Sequence, residues 1–286
     1  MTDAAQRPSG GASPEAIQAH YDVSNRFYSL WLDPGLTYSC ALWAGDDDTL
    51  EAAQARKLDY IAEPALSRGA RRVLDIGAGW GSLLNRLSVG GVETLVGLTL
   101  SQQQLDHVKS LNIPGAEVRL ESWRDHKPGE PYDAIVSVGA FEHFADLDLT
   151  ERQRLAIYRE FFQACHSWLK PGGSLTLQTI AYGPVPAPAG REIFLEVFPE
   201  SDLPLPSELF RTAEDLFEVN ELRNDREHYI RTLKAWHRNL RARRAEAVAE
   251  VGHDKVEFFK RYLGASAMMF AARNTLLLRL KLTRVP

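Results

Sequence analysis

The pattern of apolar and polar positions alternates between strand-like and helix-like segments through the middle of the chain. Short apolar runs predict strands over residues 72–76, 94–98, 117–120, 132–137 and 174–180. Between them, apolar residues recur at helical spacing, which predicts helices that begin at Ser82 and Ser101 and an amphipathic helix over 154–168. Strands that alternate with helices form parallel sheets covered by helices, so the pattern predicts a doubly wound α/β fold.

Both ends of the chain have a more helical pattern. Ser13 and Pro14 suit the N-cap and first position of a helix that breaks near Asp22, and a second helix over 49–65 has Thr49 as its cap. After residue 180 the pattern predicts a proline-rich loop at 182–190, a strand at 217–222, helices over 227–251 and 256–272, and a last strand at 278–283. We interpret the helices between the last two strands as a lid or pocket wall.

The chain is expected to form one domain after a short polar leader. Residues 1–12 are small and polar and predict a disordered leader. Residues 13–286 then form a single unit: N-terminal helices over 13–70, a ligand-binding core over 71–180, a pocket and lid over 181–275, and a final strand over 276–286.

Composition narrows the possible functions. Hydrophobic residues make up 44% and charged residues 25% of 286 residues, as in ordinary globular proteins, and the net charge of −5 argues against nucleic-acid binding. Two cysteines are too few for a disulfide framework and have no metal-type spacing, which favours a cytoplasmic location and no metal. No apolar run is long enough to predict a transmembrane segment, while peripheral contact with lipid stays open.

The stretch from Val73 to Gly81 carries the strongest chemical signal. An apolar strand ends in Asp75 and is followed by Gly77, Gly79 and Gly81, which allow a tight turn and close approach of a ligand to the backbone. This pattern suggests a nucleotide-like cofactor at the carboxyl ends of a parallel sheet, although an ordinary strand–helix turn has the same features.

Five ordered segments extend this signal: residues 20–24, 37–41, 75–81, 97–104 and 138–144. Through them the chain resembles the class I S-adenosylmethionine-dependent methyltransferases, and more narrowly the cyclopropane fatty acid synthases and mycolic acid cyclopropane synthases. The resemblance implies a Rossmann-like fold with a mostly parallel sheet, a helical N-terminal segment and a helical lid insertion. It also implies S-adenosylmethionine as cofactor.

The resemblance assigns two sets of site residues. The cofactor set comprises Tyr38, Ser39, Asp75, Gly77, Gly79, Gly81, Thr99, Leu100, Gln104, Ser122, Trp123 and Ala140. Gln104 has the alternative role of a capping-box partner for Ser101, and Trp123 that of a plain core residue. The catalytic set comprises Cys40, Glu142, Gln178, Ile180 and Tyr229, the positions at which this family holds a bicarbonate ion. Glu142 has the alternative role of an acid at a helix start.

One position departs from the family pattern. The family reads His-Thr-Ile at the fifth strand, whereas this chain reads Gln178-Thr179-Ile180. A glutamine can donate a hydrogen bond to an anion but carries no charge. The bicarbonate site is therefore either kept with weaker affinity or used for another purpose.

The implied reaction joins the cofactor's methyl group to an alkene and leaves a carbocation, which aromatic faces can stabilise. The aromatic candidates, for each of which core packing is the alternative, are Tyr21, Phe141, Tyr182, Tyr229 and Tyr262.

A basic cluster is either a solvated helix face or a docking site for an acidic acyl carrier or lipid headgroup; it comprises Arg238, Arg241, Arg243 and Arg244.

Three functions follow from these observations. The first is methyl transfer to an alkene of an apolar, fatty-acyl-like substrate, giving a cyclopropane or a methyl-branched product. The second is a small-molecule C-, N- or O-methyltransferase of specialised metabolism, which Gln178 favours. The third is a non-catalytic protein that binds S-adenosylmethionine or lipid, which the intact glycine turn and Glu142 disfavour.

Overall fold

A seven-stranded sheet forms the centre of the computed structural model, which describes residues 11–186, 196 and 200–286. The strands are β1 (Arg72–Ile76), β2 (Thr94–Thr99), β3 (Ala116–Leu120), β4 (Tyr132–Val138), β5 (Leu169–Tyr182), β6 (Phe217–Asn224) and β7 (Thr275–Arg284). Their order is β3-β2-β1-β4-β5-β7-β6, and β7 runs antiparallel to both of its neighbours while the remaining pairs are parallel. The predicted doubly wound, mostly parallel sheet is confirmed.

Helices surround this sheet and close its carboxyl edge. They are α1 (Pro14–Tyr21), α2 (Asn25–Ser29), α3 (Leu50–Leu66), α4 (Ser82–Val89), α5 (Gln102–Ser110), α6 (Glu151–Trp168), α7 (Pro206–Ala213), α8 (Arg226–Ala242), α9 (Arg244–Val251) and α10 (His253–Ala271). Successive strand residues point to opposite faces of a sheet. Leu74 and Ile76 of β1 accordingly join one core with α6 and α7, and Val73 joins a second core with α3, α4 and α5.

A third core lies above the sheet and joins the two ends of the chain. Phe27 and Trp31 of the N-terminal segment pack against Trp236 of α8 and Phe259 of α10, with ring centroids 4.9 Å apart for Phe27–Phe259 and 5.9 Å apart for Trp31–Trp236. Trp80 of the glycine turn belongs to the same core. The helices between β6 and β7 therefore form, with the N-terminal segment, one wall over the turn.

Several element boundaries differ from the sequence-based expectation. Helix α6 begins at Glu151 because Thr150 and Gln153 form a capping box one turn earlier than expected. Strand β5 begins at Leu169, the 227–251 region divides at Arg243, and α7 was not expected at all.

Two expected segments fall partly outside the described residues. Most of the predicted leader, residues 1–10, lies there, as does much of the proline-rich loop over 182–190. Ala12, within the same predicted leader, has a defined contact: its N–H donates to the His143 carbonyl over 2.8 Å.

Candidate active site

The glycine turn after β1 brings three elements close together. Gly77, Gly79 and Gly81 all have positive φ angles, of 84°, 55° and 85°. A Cβ at Gly77 would lie 2.7 Å from the Cβ of Ala140, the residue that follows β4 and its Gly139. The N–H groups of Gly77 and Ala78 both donate to the Leu98 carbonyl of β2, over 3.0 and 2.9 Å. A side chain at Gly77 would push the turn away from Ala140, and the positive φ angles at all three positions favour glycine.

A cavity lies at the carboxyl ends of β1, β2 and β4, beside this turn. Every residue of the expected cofactor set except Gly81 lines it: Tyr38, Ser39, Asp75, Gly77, Gly79, Thr99, Leu100, Gln104, Ser122, Trp123 and Ala140. Gly81 instead precedes α4 and faces Val108, whose nearest methyl carbon is 3.0 Å from a Cβ built on the glycine. The expected residues thus surround one cavity, where parallel α/β sheets place their ligands.

The two alternatives for Gln104 are separated by its hydrogen bonds. The backbone N–H of Gln104 donates to the Ser101 hydroxyl over 3.1 Å, as an N-cap requires. Its side chain does not return to Ser101: Oε1 accepts from the Thr99 hydroxyl over 2.7 Å, at the cavity wall. The capping-box interpretation is therefore wrong for the Gln104 side chain, and the amide remains at the cavity.

Trp123 has both of the roles considered for it. Its ring packs against Phe144 and Phe161, at centroid distances of 5.1 and 5.5 Å, and is nearly buried. It also lines the cavity. A core tryptophan thus supplies one wall of the ligand site.

Further residues line the cavity that the sequence analysis did not assign to the cofactor: Tyr21, Lys57, Glu121 and His143 among them. Burial lowers the pKa of His143 to about 4, so its ring is neutral at pH 7. Its Nδ1 lies 2.8 Å from the Ser201 hydroxyl. Glu121 could have been found from sequence, because it directly precedes Ser122 after β3.

Glu142 lies in the short 3₁₀ turn Phe141–His143, directly after β4. Its side chain is buried, and Oε2 accepts a hydrogen bond from the Thr179 hydroxyl over 3.0 Å. Burial raises the pKa of Glu142 to about 7, and hydrogen bonds from Thr179 and from the backbone, including that of Ile180, act in the opposite direction. A carboxyl with this pKa exchanges protons near neutral pH.

Cys40 is fully buried and acts as a thiol, not a thiolate. Burial raises its pKa to about 12, although the charge of Arg279 opposes this shift. Its Sγ lies 3.2 Å from the Ala41 carbonyl. A protonated thiol at this position offers no nucleophile at neutral pH.

Arg279 is the central residue of this end of the site, and the sequence analysis did not identify it. It is fully buried on β7; its Nε donates to Gln178 Oε1 over 2.7 Å and its Nη2 to the Cys40 carbonyl over 2.9 Å. Its Nη1 forms an ion pair with Asp225. Gln178 carries no charge itself, but a guanidinium lies directly behind it.

Tyr229 is attached to the same network through the start of α8. Its backbone N–H donates to the Asp225 carbonyl over 3.3 Å. Its ring packs against Phe270, with centroids 4.7 Å apart. Burial raises the pKa of Tyr229, and the nearby Cys40 and Glu142 raise it further, so the hydroxyl stays protonated.

The aromatic candidates separate into two groups. Phe141 is fully buried and packs between Tyr158 and Phe161, at 4.6 and 5.3 Å, so it is a core residue and not a candidate for cation stabilisation. The Tyr182 hydroxyl donates to Asp202 over 2.6 Å. Tyr21 lines the cavity, and burial, with a contribution from the charge of Glu142, raises the pKa values of Tyr21 and Tyr262.

The basic cluster contains exposed ion pairs. Arg243 pairs with Glu246 over 2.6 Å and Arg244 with Glu257 over 3.0 Å. These pairs match the solvated-face interpretation.

Neither a membrane span nor a metal site stands out in the parts of the chain that the structure describes. Within residues 11–186, 196 and 200–286, no helix has both the length and the apolar character needed to cross a membrane. The same ranges hold no group of three or more His, Cys, Asp or Glu side chains arranged for a metal ion.

Comparison with known proteins agrees with this geometry. A family model described as mycolic acid cyclopropane synthetase matches residues 11–280. Cyclopropane mycolic acid synthase 2 of Mycobacterium leprae is 34% identical over 288 residues, which cover 91% of each chain. Cyclopropane mycolic acid synthase 3 of Mycobacterium tuberculosis is 35% identical over 275 residues, covering 89% of this chain and 91% of that protein.

Solved structures of cyclopropane synthases also superpose on this chain. The mycolic acid cyclopropane synthase CmaA1 complexed with SAH and CTAB superposes with a TM-score of 0.85 at 31% identity, covering 96% of this chain and 99% of that chain. The cyclopropane synthase MmaA2 from Mycobacterium tuberculosis superposes with a TM-score of 0.83 at 32% identity and the same coverage. The fold is that of the class I methyltransferases.

Proposed function

This chain belongs to the mycolic acid cyclopropane synthetase family of S-adenosylmethionine-dependent methyltransferases, and we propose that it methylates an alkene carbon of an apolar, fatty-acyl-like substrate. The observation that carries the proposal is the position of Glu142. This buried carboxyl lies beside the cofactor cavity, which Ala140 and His143 line, and its charge adds to the burial that raises the pKa values of Tyr21, Tyr229 and Tyr262.

The protein's main contribution to methyl transfer is position. The sulfonium of S-adenosylmethionine makes its methyl group electrophilic, and an alkene is a weak nucleophile that must be held in line with it. Alignment of this kind supplies up to roughly 7–11 kcal/mol of the barrier. The buried N-terminal and lid helices exclude water, which would otherwise trap the carbocation.

The carbocation is stabilised by the side chains that face it. Tyrosine faces attract cations by about 0.5–2 kcal/mol each. Tyr21, Tyr229 and Tyr262 are protonated at neutral pH, and burial raises their pKa values further. Glu142 adds negative charge once it is ionised.

The polar atoms at this end of the site fit a bound bicarbonate. Gln178 Oε1 accepts a hydrogen bond from Arg279, whereas Nε2 of the same amide donates to none of the described residues. Gln178 Nε2, the Tyr229 hydroxyl and the backbones of Cys40 and Ile180 would hold the anion beside Glu142. When bound, bicarbonate supplies the base for the proton lost in ring closure.

A second candidate function is favoured by the neutral side chain of Gln178. Without a charged donor, the site would bind bicarbonate only weakly. The base for ring closure would then be absent in many turnovers. The carbocation would lose a proton from a neighbouring carbon of the substrate to another base, and the product would be a methyl-branched alkene.

Incubation with S-adenosylmethionine that carries a trideuterated methyl group tests the proposal. The purified protein would be offered unsaturated acyl lipids and acyl carriers, and the products read by mass spectrometry. Two retained deuterons in a product without a double bond mean ring closure; three mean simple methylation and the second candidate.

Glu142→Gln is the matched variant for this experiment. It should lower turnover while leaving the affinity for S-adenosylhomocysteine within about twofold, because Glu142 lies beside the cofactor cavity and not among its lining residues. Turnover at the wild-type rate would remove Glu142 from the mechanism. Cofactor binding without product from any acyl substrate would contradict the proposed substrate class.

A further inference from the structure

Arg279 is a buried cation that joins separate parts of the site. It lies on β7, and its side chain is 0% exposed. Its Nε donates to Gln178 Oε1 of β5 over 2.7 Å and its Nη2 to the Cys40 carbonyl over 2.9 Å, while its Nη1 forms an ion pair with Asp225. The donors of a guanidinium point in fixed directions in one plane, so contacts to several elements hold it in one position. The reaction described so far uses the Gln178 amide but not the arginine that contacts it.

The contact with Arg279 decides how the Gln178 amide is oriented. A guanidinium has only donors, so the end of the amide that faces Arg279 must be the acceptor Oε1. Nε2 is then turned away from Arg279, and it donates to none of the described residues. Gln178 is 2% exposed, and a buried donor without a partner is costly unless a ligand accepts from it. The arginine thus makes this amide a donor toward the site.

The charge of Arg279 also reaches this end of the site. Burial raises the pKa of the Cys40 thiol to about 12, and the charge of Arg279 acts in the opposite direction. Asp225 offsets part of that charge, but Arg223, 3.0 Å away, shares the same carboxylate. Two arginines on one carboxylate leave a net positive charge behind the Gln178 amide. An amide whose oxygen accepts from a cation is polarised, which strengthens its N–H donors.

We propose that Arg279 is a positioning residue that holds the Gln178 amide with Nε2 toward a small oxyanion, bicarbonate, and polarises that donor. This proposal rests on the anion site proposed beside Glu142. It explains how a neutral glutamine can serve where a charged donor would otherwise be needed: the arginine behind it supplies both the orientation and the charge. Arg279 itself does not touch the anion and acts through the amide.

A purely structural role for Arg279 is the competing explanation, and the two roles differ in what happens when the guanidinium is removed. The Cys40 carbonyl then loses a donor, and Asp225 loses one of its arginine partners. Under the proposal, the Gln178 amide turns Nε2 toward these acceptors and presents Oε1 to the anion, which repels it. None of these residues lines the cofactor cavity, so cofactor affinity should not change.

Two binding measurements on the whole protein separate these roles. The affinity for bicarbonate is measured with the carbon-13-labelled ion, through NMR line broadening, on protein saturated with S-adenosylhomocysteine. The affinity for S-adenosylhomocysteine itself is measured by calorimetry. Arg279→Met should weaken bicarbonate by about 10-fold or more, since the hydrogen bond to a charged group is lost. The same variant should bind S-adenosylhomocysteine within about twofold of wild type, which also shows that it is folded.

Two further variants are matched to this one. Gln178→Glu keeps the shape of the side chain and an acceptor for Arg279, but replaces the Nε2 donor with an oxygen. It should weaken bicarbonate at least as much as Arg279→Met and leave S-adenosylhomocysteine within about twofold. Lys281→Met removes another cation from the same face of β7, where Lys281 pairs with Glu63 and Glu221. It should leave both affinities within about twofold.

A double-mutant cycle tests whether Arg279 acts through the amide. Gln178→Ala should weaken bicarbonate by itself. Adding Arg279→Met to this variant should weaken bicarbonate by less than about twofold more, because no amide remains to be positioned. A further loss of about 10-fold would show that Arg279 affects the anion without Gln178 and would contradict the proposal.

Other patterns also overturn it. Wild-type bicarbonate affinity in Arg279→Met or in Gln178→Glu would mean that the oriented amide is not used. Parallel losses of bicarbonate and S-adenosylhomocysteine in Arg279→Met would leave Arg279 a structural role alone. If the wild-type protein binds S-adenosylhomocysteine but no bicarbonate, the anion site fails and this proposal with it. Methylation of an alkene is tested separately by the products of the trideuterated cofactor.

Discussion

At the scale of single residues, Glu142 shows how burial prepares a group for chemistry. An exposed glutamate is ionised throughout the neutral range, whereas burial brings the pKa of Glu142 to about 7. The Thr179 hydroxyl, 3.0 Å from Oε2, donates to the carboxylate and keeps it oriented. The ionised form is therefore available at neutral pH but is lost on mild acidification.

The turnover of the enzyme should follow the ionisation of Glu142. Because the ionised carboxylate faces the developing cation, kcat should rise with pH through about 7 and level off above it. A kcat–pH profile with saturating cofactor and substrate measures this. Glu142→Gln should lose both the rate and this inflection, whereas Thr179→Val should move the inflection to higher pH. A wild-type profile flat between pH 6 and 8 would contradict the role of Glu142.

Substitution of Arg279 should lower the stability of the fold, and this effect can be measured separately from catalysis. The Arg279 guanidinium and the Asp225 carboxylate are 0% and 7% exposed, and removing Arg279 leaves this carboxylate with Arg223, 3.0 Å away, as its remaining arginine partner. Arg279→Met should lower the free energy of unfolding by about 1–3 kcal/mol, because Gln178 Oε1 and the Cys40 carbonyl lose their buried donor. Urea denaturation measures this loss.

A second substitution at Asp225 completes this experiment. The double variant Arg279→Met with Asp225→Asn should recover part of the loss, because the buried carboxylate that has lost one of its two arginine partners is replaced by a neutral amide. Additive losses in the two single variants would mean that the buried pair is not coupled. Arg284→Met, on the same strand near its end, is the control and should cost little, since that side chain is only partly buried.

Residues of this site differ in how well sequence reveals them. Glu142 and Cys40 lie in contiguous motifs, so their neighbours along the chain identify them. Arg279 lies in an alternating strand between Leu278 and Leu280, where a charged residue predicts a solvent-facing position. Only the tertiary packing of β6, α8 and the N-terminal segment over β7 buries it.

At the scale of elements, local signals predicted the strands well and some helix ends poorly. The bounds of β1 match the expected 72–76, because a fully buried apolar run between polar residues has few alternatives. Helix α7 lacks such a run, and Leu205, its N-cap, gives no side-chain cap. Its position depends on packing against α6, where Arg154 binds Glu208 over 2.9 Å.

The capping box of α6 gives a test at this scale. Thr150 accepts from the Gln153 N–H, and Gln153 Oε1 accepts from the Thr150 N–H over 2.9 Å. Thr150→Ala should therefore destabilise the protein by about 1 kcal/mol. Thermal unfolding at fixed pH checks this, with Arg152→Ala, exposed on the same turn, as control. Equal stability of the two variants would show that the box contributes nothing.

At the scale of the whole molecule, the N-terminal segment closes the cofactor cavity through a few polar contacts. Gln18 donates to the Leu100 carbonyl over 3.0 Å, and Gln103 donates to the Asp22 carbonyl over 2.8 Å. Trp80 of the glycine turn donates to Asn25 over 2.7 Å. Ile17 and Tyr21 of α1 also line the cavity. These contacts join residues far apart in sequence, so no local pattern could have predicted them.

Since α1 forms part of the cavity wall, we expect release of the cofactor to require movement of this helix. A bound ligand therefore adds its binding free energy to every opening of α1, about 2.7 kcal/mol at a concentration of 100 times Kd. Amide hydrogen exchange at residues 15–22 should slow by up to about 100-fold with S-adenosylhomocysteine at that concentration. Amides of α6, which does not line the cavity, serve as the internal control. Where they exchange through local openings, their exchange rates should be the same with and without the ligand. Slower exchange at the glycine turn alone, with α1 unchanged, would mean that the ligand enters and leaves without the N-terminal segment moving.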